Sequence, residues 1–200
     1  MKLLVLFAVL GVALCEAELA ESEEERPDWA NETLFGKHQD SWASLQRDVN
    51  STYYLMKSTY NNDSVWGSGF TCVSVTATNA TESNKSVTAE IKYKKENQTN
   101  LQTSSEIVQA VKMYNYSKEN AIKYTVLKAG GENITIEDAL VFTNKMCDIY
   151  YTKKGDYELW VHQNKTKEPP ACCDFMFRYL ALNKTIYPIY NINCTSENDV

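Results

Sequence analysis

Acidic and aromatic side chains recur two residues apart in several strand-like stretches of this chain. Four pairs share this spacing: Ile122 and Tyr124, Ile136 and Asp138, Asp148 and Tyr150, and Glu158 and Trp160. In a β-strand, residues i and i+2 point to the same face of the sheet. If these faces point inward, they line an acidic and aromatic lumen, in which carboxylates and rings attract a cation. If they point outward, the acids are solvated and carry no chemistry.

Strand patterns of even spacing supply the framework for these pairs. Alternating or β-branched stretches predict strands over residues 52–60, 70–78, 86–94, 106–114, 122–127, 134–143, 147–152 and 157–162. A Lys-Lys-Gly-Asp turn at 153–156 predicts a hairpin between the last two. About eight strands without a glycine-rich repeat favour an antiparallel barrel or sandwich, and an eight-stranded barrel has room for a small ligand.

Two helices are predicted to flank the strands. Residues 38–49 place Trp42, Leu45 and Val49 on one stripe, which is typical of an amphipathic helix. Pro170 opens a second apolar stretch over 171–182. The fold class is therefore expected to be all-β with an N-terminal and a C-terminal helix.

The N-terminus is typical of a secreted protein. Lys2 precedes a 12-residue apolar run, and small residues follow up to Ala17. We therefore expect residues 1–17 to be a signal peptide, 18–27 an acidic leader and 28–200 one barrel domain. A buried N-terminal helix is the alternative for the first segment. No apolar run reaches the ~20 residues of a membrane span, so we expect no membrane association.

Potential N-glycosylation sites also indicate secretion. Eleven Asn-x-Ser/Thr sequons are present, and each occupied asparagine must lie at the surface. We expect only some of them to be used. The candidates are Asn31, Asn50, Asn62, Asn79, Asn84, Asn97, Asn115, Asn133, Asn164 and Asn183, with Asn193 the weakest because Cys194 occupies its middle position.

Cysteines constrain the fold further. Removal of Cys15 with the signal peptide leaves an odd number: Cys72, Cys147, Cys172, Cys173 and Cys194. Two disulfides and one spare thiol are the simplest arrangement in an oxidising compartment, and a bridge between the two adjacent cysteines would strain the backbone. Zinc is disfavoured because the chain has no repeated short-spaced cysteine pair and its two histidines are isolated. We expect no metal and no cofactor.

Charge and motifs argue against other functional classes. The net charge of −6 is unlike that of a nucleic-acid-binding protein. A glycosidase with two carboxylates is conceivable, but the chain has no Gly-x-Ser-x-Gly motif and neither histidine has a recognisable catalytic partner. We expect no enzymatic activity. A decoy that binds host protein through its outer face is a further alternative, which dense glycosylation would obstruct.

Six segments between Asp28 and Cys194 carry a resemblance to a known family: DWANETLFGKHQDSWASL, YYLMKSTYNNDSVW, FTCVSV, AVKMYNYSKENAIKY, CDIYY and YELWV. Several of these stretches resemble, without gaps, the tick salivary histamine-binding proteins, which are lipocalins. The number of sequons and the spare cysteine are more similar to the glycosylated male-tick branch than to the female-tick branch. The resemblance implies an eight-stranded lipocalin barrel that scavenges histamine, with serotonin in one functional site as the alternative.

The resemblance also implies two amine sites inside the barrel. The first would comprise Tyr60, Asp63, Glu106, Tyr124 and Asp138. The second would comprise Asp48, Asp148 and Glu158, with Trp66 between the sites and Tyr53 and Trp160 as aromatic walls. Two aromatic residues of the family's first site are replaced by Ile122 and Ile136 in this chain, which weakens the expected ring stacking there.

The family pattern implies a Cys72–Cys194 disulfide and a second one between Cys147 and Cys173, which leaves Cys172 over. A bond between Cys147 and Cys172, with Cys173 left over, is the alternative. A spare thiol in a secreted protein favours an intermolecular bridge, so a disulfide-linked homodimer is a further hypothesis.

Overall fold

The computed structural model describes residues 26–98, 100–126 and 133–194. The predicted signal peptide, most of the acidic leader, Cys15 and Leu127 lie outside these residues. No helix among the described residues is long and apolar enough to cross a membrane.

Eight antiparallel strands close into a barrel. They are β1 (Thr52–Ser58), β4 (Thr71–Thr81), β5 (Ser86–Lys94), β6 (Gln102–Val111), β7 (Ala121–Val126), β8 (Ile134–Thr143), β9 (Cys147–Tyr151) and β10 (Tyr157–His162). Neighbours in sequence pair with each other from β4 to β10, and β1 pairs with both β4 and β10 to complete the ring. Strand spacing left a barrel or a sandwich open, and the barrel that the family resemblance implied is confirmed.

Three short strands lie outside the ring. A small hairpin pairs β2 (Asn62–Asp63) with β3 (Gly67–Ser68), and β11 (Tyr187–Pro188) adds to β1. The predicted turn between β9 and β10 is also present, with Gly155 at a φ of 84° that favours glycine. The Asn62–Asp63 strand holds one acid of the predicted first site.

Strand β6 begins and ends earlier than the predicted range 106–114. Its first residues are polar, but alternate residues face the interior and pair in register along β5, with Ala89 opposite Glu106. The strand ends before Tyr114 and Asn115, whose φ values of 54° and 58° are incompatible with a strand. The start of this strand is hard to recognise from the sequence because residues 102–105 are all polar.

The helices are shorter than predicted. They are α1 (Glu32–Phe35), α2 (Ser41–Arg47) and α3 (Ala171–Leu180), with short 3₁₀ turns at Gly36–His38, Glu82–Asn84, Gln163–Lys165 and Ile192–Cys194. The Asp40 carboxylate caps α2 by accepting a hydrogen bond from the Ala43 backbone, 2.9 Å away, which fixes where the helix starts.

Helix α2 covers one end of the barrel. Trp42 is 7% exposed and packs against small and branched lumenal side chains, including Ala77, Ala89 and Val108. The same helix directs Leu45 and the following Asp48 into the interior cavity. The predicted apolar stripe therefore closes the lumen and also delivers an acid to it.

Both disulfides implied by the family resemblance are present. Cys72 in β4 bonds to Cys194 near the C-terminal end of the described chain. Cys147 in β9 bonds to Cys173 in α3, which settles the choice between the adjacent cysteines. Cys172 is unpaired and exposed.

The sequon asparagines all lie at the surface. Each of the eleven is exposed, including Asn62, whose neighbour Asp63 lines the interior cavity. Glycosylation itself stays a prediction, but no sequon is made inaccessible by burial of its asparagine.

Candidate ligand-binding site

A cavity of about 1000 Å³, including its open mouth, occupies the barrel interior. Its acids are Asp48, Asp63, Glu106, Asp138, Asp148 and Glu158. Its aromatic residues are Tyr53, Tyr60, Trp66, Tyr124, Tyr150 and Trp160. Aliphatic residues form the remaining wall, largely from β4 to β8. Every residue that the resemblance assigned to an amine site faces this one cavity.

The i, i+2 pairs decide between an inward and an outward acidic face. All eight members of the four pairs line the cavity. The structure therefore shows the inward arrangement, and Asp138, Asp148 and Glu158 are each no more than 6% exposed.

Asp48 and Asp148 form one acidic cluster, here called the Asp48–Asp148 pair. The Tyr53 hydroxyl donates to Asp48 Oδ1 at 2.9 Å, and Arg47 Nε lies 3.0 Å from the same oxygen. Asp148 accepts a short hydrogen bond from the Thr143 hydroxyl and a long one, 3.4 Å, from Ser44 Oγ. Residues from α2, β1, β8 and β9 thus converge on two carboxylates.

Burial and like charge make this pair reluctant to ionise fully. Burial, followed by the charge of the neighbouring Asp48, raises the pKa of Asp148 to about 7, although Thr143, Arg47 and Ser44 each act to lower this pKa. One carboxylate of the pair is therefore partly protonated near neutral pH when the barrel is empty.

The other four acids form a second cluster, here called the four-acid group: Asp63, Glu106, Asp138 and Glu158. The Tyr60 hydroxyl donates to Glu158 Oε1, and the Trp160 indole donates to Glu158 Oε2 at 2.8 Å. The Tyr124 hydroxyl donates to Asp138 Oδ2 at 3.1 Å. Aromatic hydroxyl and indole groups therefore orient two of the four carboxylates.

Two carboxylate oxygens of this group, Glu106 Oε2 and Asp138 Oδ1, are buried and have no hydrogen-bond partner among the residues that the structure describes. A buried unpaired acceptor is costly, so each is a natural anchor for a donor on a ligand. Asp63 has a local role as well, because its Oδ1 accepts from the Val65 and Trp66 backbone N–H groups at 2.6 and 3.0 Å. The Asp63 side chain thus shapes the β2–β3 hairpin and faces the lumen.

Mutual repulsion and burial raise the pKa values of this group. Burial, followed by the charge of Asp138, raises the pKa of Glu158 to about 8. Burial also raises the pKa of Asp138 to about 6 and the pKa of Glu106 by a smaller amount, and Asp63 adds to both shifts. The charge of an empty four-acid group is therefore limited by bound protons at neutral pH.

Glu158 lies in a different cluster from the one that the resemblance implied. Its hydrogen bond to Tyr60 and its electrostatic coupling to Asp138 and Asp63 place it in the four-acid group. The repulsion that Asp148 feels comes instead from Asp48. The six acids are therefore divided four to two, whereas the sequence suggested three to three.

Several contributors were not assigned to a site from sequence. Tyr150 lines the cavity beside Asp148, and it was known only as the partner of Asp148 in one of the four spaced pairs. Arg47, Ser44 and Thr143 contact the Asp48–Asp148 pair. No strand periodicity marks Arg47, because it is the last residue of α2 and reaches the acids from outside the strand pattern.

A second, more polar cavity of about 740 Å³ adjoins the first. Six residues line both: Tyr60, Asp63, Tyr124, Ile136, Asp138 and Glu158. The added residues come from the loops around it, including Asn62, Thr135, Lys153 and Asp156. This shared wall makes the second cavity the vestibule of the first, next to the four-acid group.

Comparisons with known proteins agree with this geometry. The family model described as tick histamine binding protein matches residues 29–196. The male-specific histamine-binding salivary protein of Rhipicephalus appendiculatus is 42% identical over 195 residues, which covers 93% of both chains. The female-specific histamine-binding protein 1 of the same tick is 36% identical over 184 residues, covering 90% of this chain and 94% of that one.

Solved structures share the fold at lower identity. The structure of AM182 in a serotonin complex aligns with a TM-score of 0.58 and 21% identity, covering 78% of this chain and 92% of that one. Japanin from Rhipicephalus appendiculatus bound to cholesterol aligns at 0.50 and 14%, covering 74% and 97%. Insecticyanin from Manduca sexta also reaches 0.50, at 11% identity and coverage of 72% and 79%. These structures support the lipocalin-type barrel, while the family model and the two tick relatives show that the chain belongs to the tick histamine-binding protein family.

Proposed function

We propose that this protein is secreted in tick saliva and sequesters histamine inside its barrel, so that the host inflammatory response is suppressed. The observation that carries the proposal is the set of six acids that face one lumen together with six aromatic residues. The names of the two tick relatives support histamine as the ligand, and the name of the male-specific relative supports saliva as the compartment. The exposed sequons and the two disulfides fit secretion.

The chemistry of the lumen suits an amine. A cation that leaves water for a buried cavity needs an opposing charge, which the lumenal carboxylates supply. At an effective dielectric of ~20, one such contact at ~4 Å is worth roughly 4 kcal/mol before desolvation is subtracted. Aromatic walls add cation–π attraction of about 0.5 to 2 kcal/mol each.

The small size of histamine makes these polar contacts necessary. The molecule has about eight non-hydrogen atoms, and the best small ligands reach ~1.5 kcal/mol per atom, so its ceiling is ~12 kcal/mol, or near nanomolar affinity. Apolar contact alone could not approach this ceiling. Both ends of the ligand, the ammonium and the imidazole, therefore need polar partners.

We further propose two binding sites, one at each acidic cluster. The four-acid group with Tyr60 and Tyr124 forms the first, and the Asp48–Asp148 pair with Tyr53 and Tyr150 forms the second. Trp66 and Trp160 belong to the cluster of aromatic and aliphatic residues around Leu55 and Phe70, which supports their role as a wall. The separate electrostatic coupling within each cluster supports two sites rather than one.

Isothermal titration of the purified protein with histamine tests this function and its stoichiometry. We expect two histamine molecules per chain, and Asp138→Asn and Asp148→Asn should each weaken a different site. Glu137→Gln, on an exposed ion pair with Lys123, is a matched control for the loss of one negative charge. Absence of histamine binding at millimolar ligand would refute the function, and one site that responds equally to both acid variants would refute the two-site proposal.

Sequestration predicts that the ligand is not consumed. Histamine recovered chemically unchanged after prolonged incubation with the protein would support a binding protein. Appearance of a product in proportion to protein concentration would instead indicate an enzyme.

Serotonin is a second candidate ligand because of two particular residues. Ile122 and Ile136 line the cavity beside Tyr124 and Asp138, where the family resemblance implies larger aromatic side chains. Smaller side chains leave more width for an indole ring. Competition between serotonin and histamine in the same titration ranks the two amines.

We also propose that Cys172 forms an intermolecular disulfide in a homodimer. Its thiol is exposed, and Phe175 and Tyr179 on α3 are 67% and 66% exposed. Residues 172, 175 and 179 follow a 3-4 spacing and so share one helix face. An exposed apolar face next to a free thiol supports a second copy of the chain as the partner.

A further inference from the structure

Arg47 contacts both carboxylates of the Asp48–Asp148 pair. Its Nε lies 3.0 Å from Asp48 Oδ1, and its Nη2 lies 3.2 Å from Asp48 Oδ2 and 3.7 Å from Asp148 Oδ1. The same Nη2 donates to Ser44 Oγ at 2.9 Å and to Thr143 Oγ1 at 3.1 Å. These contacts fix the guanidinium in a single position between α2 and the barrel.

The guanidinium approaches the acids from their solvent side. The Arg47 side chain is 30% exposed, whereas Asp48 and Asp148 are 13% and 7% exposed and line the lumen. Burial acts to lower the pKa of Arg47. The charges of Asp48 and Asp148 act in the opposite direction, and the pKa of Arg47 lies above its ordinary value. Arg47 therefore stays charged and leaves the lumenal side of the acids open to a ligand.

Among the described residues, no cation forms an ion pair with the four-acid group, although Lys153 and Lys154 line the adjoining vestibule. Within residues 26–98, 100–126 and 133–194, the ion pairs made by lumenal acids both belong to the Asp48–Asp148 pair and both come from Arg47. The charges that shift the pKa values of Glu106, Asp138 and Glu158 are those of other acids. The two clusters thus differ in net charge as well as in the number of carboxylates.

We propose that Arg47 is a resident counter-cation that restricts the site at the Asp48–Asp148 pair to ligands with a single positive charge. Two ionised carboxylates and one guanidinium leave at most one uncompensated negative charge at this site. A singly charged amine neutralises that charge, whereas a diamine brings a second cation close to Arg47. The four-acid group has enough negative charge to accept either ligand.

This inference rests on the proposed two-site function and adds a determinant of specificity to it. Removal of the guanidinium frees Asp48 and Asp148 to pair with the ligand alone. Removal of the guanidinium also removes its repulsion of the bound ligand cation. At a separation of ~6 Å and an effective dielectric of ~20, this repulsion amounts to a factor on the order of 100 in affinity. Part of this gain is lost because Asp148 binds a proton more tightly without Arg47. We therefore expect a net gain of about tenfold for histamine, and more for a diamine.

Isothermal titration at pH 8.5, where less of the Asp148 carboxyl is protonated, provides the test. The event at the Asp48–Asp148 pair is separated in a background of Glu106→Gln and Asp138→Asn, which removes the two unpartnered carboxylates of the four-acid group, with histamine and 1,4-diaminobutane as probes. In that background Arg47→Gln should tighten histamine about tenfold and the diamine more, while Arg47→Lys should keep most of the discrimination against the diamine. Lys123→Gln removes a positive charge from an exposed ion pair and should change neither affinity by more than about twofold.

The outcomes separate this inference from the function on which it rests. If the wild type binds histamine at neither cluster, the proposed function fails. If the wild type binds two histamine molecules and Arg47→Gln, with an unchanged melting temperature, does not tighten the Asp48–Asp148 site, the role of Arg47 is refuted.

A measurement on the wild type covers the case in which Arg47→Gln does not fold. The wild type should bind the diamine at both clusters. Its affinity for the diamine should be at least about tenfold lower at the Asp48–Asp148 pair than at the four-acid group. Asp148→Asn and Asp138→Asn assign the two events. Equal diamine affinity at both clusters would overturn the proposal without any Arg47 variant.

Discussion

The Tyr60 hydroxyl donates a hydrogen bond to Glu158, although 98 residues separate the two in sequence. Tyr60 follows β1 and precedes the β2–β3 hairpin, and Glu158 lies in β10, which pairs with β1. The Trp160 indole donates to the other oxygen of Glu158. In the empty barrel this carboxyl group is therefore held by two aromatic donors that a ligand must share or replace.

Glu158→Gln should weaken histamine binding at the four-acid group by about 10- to 100-fold, the usual effect of losing one charged hydrogen bond. The side chain keeps its size and its amide oxygen can still accept from Tyr60, but the amide NH2 cannot accept from the Trp160 indole, so the loss reports the charge together with that hydrogen bond. Isothermal titration resolves which of the two events changes. Tyr60→Phe is the companion variant and should show a smaller loss at the same event.

The same variant separates two groupings of the acids. The family resemblance assigns Glu158 to the site of Asp48 and Asp148, whereas its contacts place it with Asp138. If Glu158→Gln weakens the event that Asp148→Asn also weakens, the grouping by contacts is wrong.

The stability of the empty protein should increase as the pH falls from 8.5 to 5.5. The folded-state pKa values of Asp138, Asp148 and Glu158 are raised to about 6, 7 and 8 from ordinary values of 3.8, 3.8 and 4.5. Between these limits the folded state binds more protons than the unfolded state, so the free energy of unfolding decreases as pH rises through the folded pKa values. We expect a melting temperature at least about 2 °C higher at pH 5.5 than at pH 8.5.

Calorimetry across this range measures the effect, and two variants provide its control. Asp148→Asn and Glu158→Gln cannot take up the proton, so each should flatten the pH dependence. A melting temperature that rises toward pH 8.5 in the unliganded wild type would contradict the raised pKa values.

Histamine binding should weaken as the pH falls from 8 to 5.5 and should release protons near neutral pH. Burial and the neighbouring Asp48 keep part of Asp148 protonated in the empty barrel, and a bound cation favours the ionised form. Titration in buffers of different ionisation enthalpy counts the released protons. Serotonin, which has no imidazole to titrate, shows whether the pH effect belongs to the protein, and a pH-independent affinity for both amines would refute this prediction.

The double variant Ile122→Phe and Ile136→Phe should favour histamine over serotonin. Both side chains line the cavity near Tyr124 and Asp138, so two rings would narrow the first site and restore stacking surface. We expect serotonin to lose at least about tenfold in affinity relative to histamine. Ile107→Phe, at an exposed position on the outside of β6, is the control and should leave the ratio unchanged.

Cys172→Ser should abolish a disulfide-linked dimer and leave both intramolecular disulfides intact. Non-reducing electrophoresis of the secreted protein measures the dimer, and peptide mapping measures the Cys72–Cys194 and Cys147–Cys173 bonds. A wild-type protein that migrates only as a monomer would remove the dimer hypothesis, whereas the binding sites do not depend on it.

The sequence predicted those features that repeat with the period of a strand. The ranges of β5, β8 and β10 match the prediction at both ends. The spacing of Asp148 and Tyr150 was compatible with an inward or an outward direction of both side chains. They point inward because the strands close into a barrel. Periodicity alone could not choose, because a strand in an open sheet presents the same alternation to solvent.

Features that depend on long-range packing were not predictable in this way. The link between Tyr60 and Glu158 requires β1 and β10 to be neighbours, which is a property of ring closure rather than of either segment. Arg47 was missed because nothing in α2 indicates that its last residue meets Asp148, 101 positions later, at 3.7 Å. The family resemblance thus indicated which acids face the lumen, whereas their partners and their division into clusters followed from the fold.

Asn62 and Asp63 are adjacent residues that face in different directions: one is exposed beside the vestibule, and the other lines the inner cavity. An oligosaccharide on Asn62 would stand at the rim of the entrance without touching a bound amine. Such a sugar would slow arrival and departure to the same extent, so residence time would lengthen while the dissociation constant stayed the same. The kinetics of capture could then be adjusted by glycosylation during secretion, separately from the chemistry of the lumen.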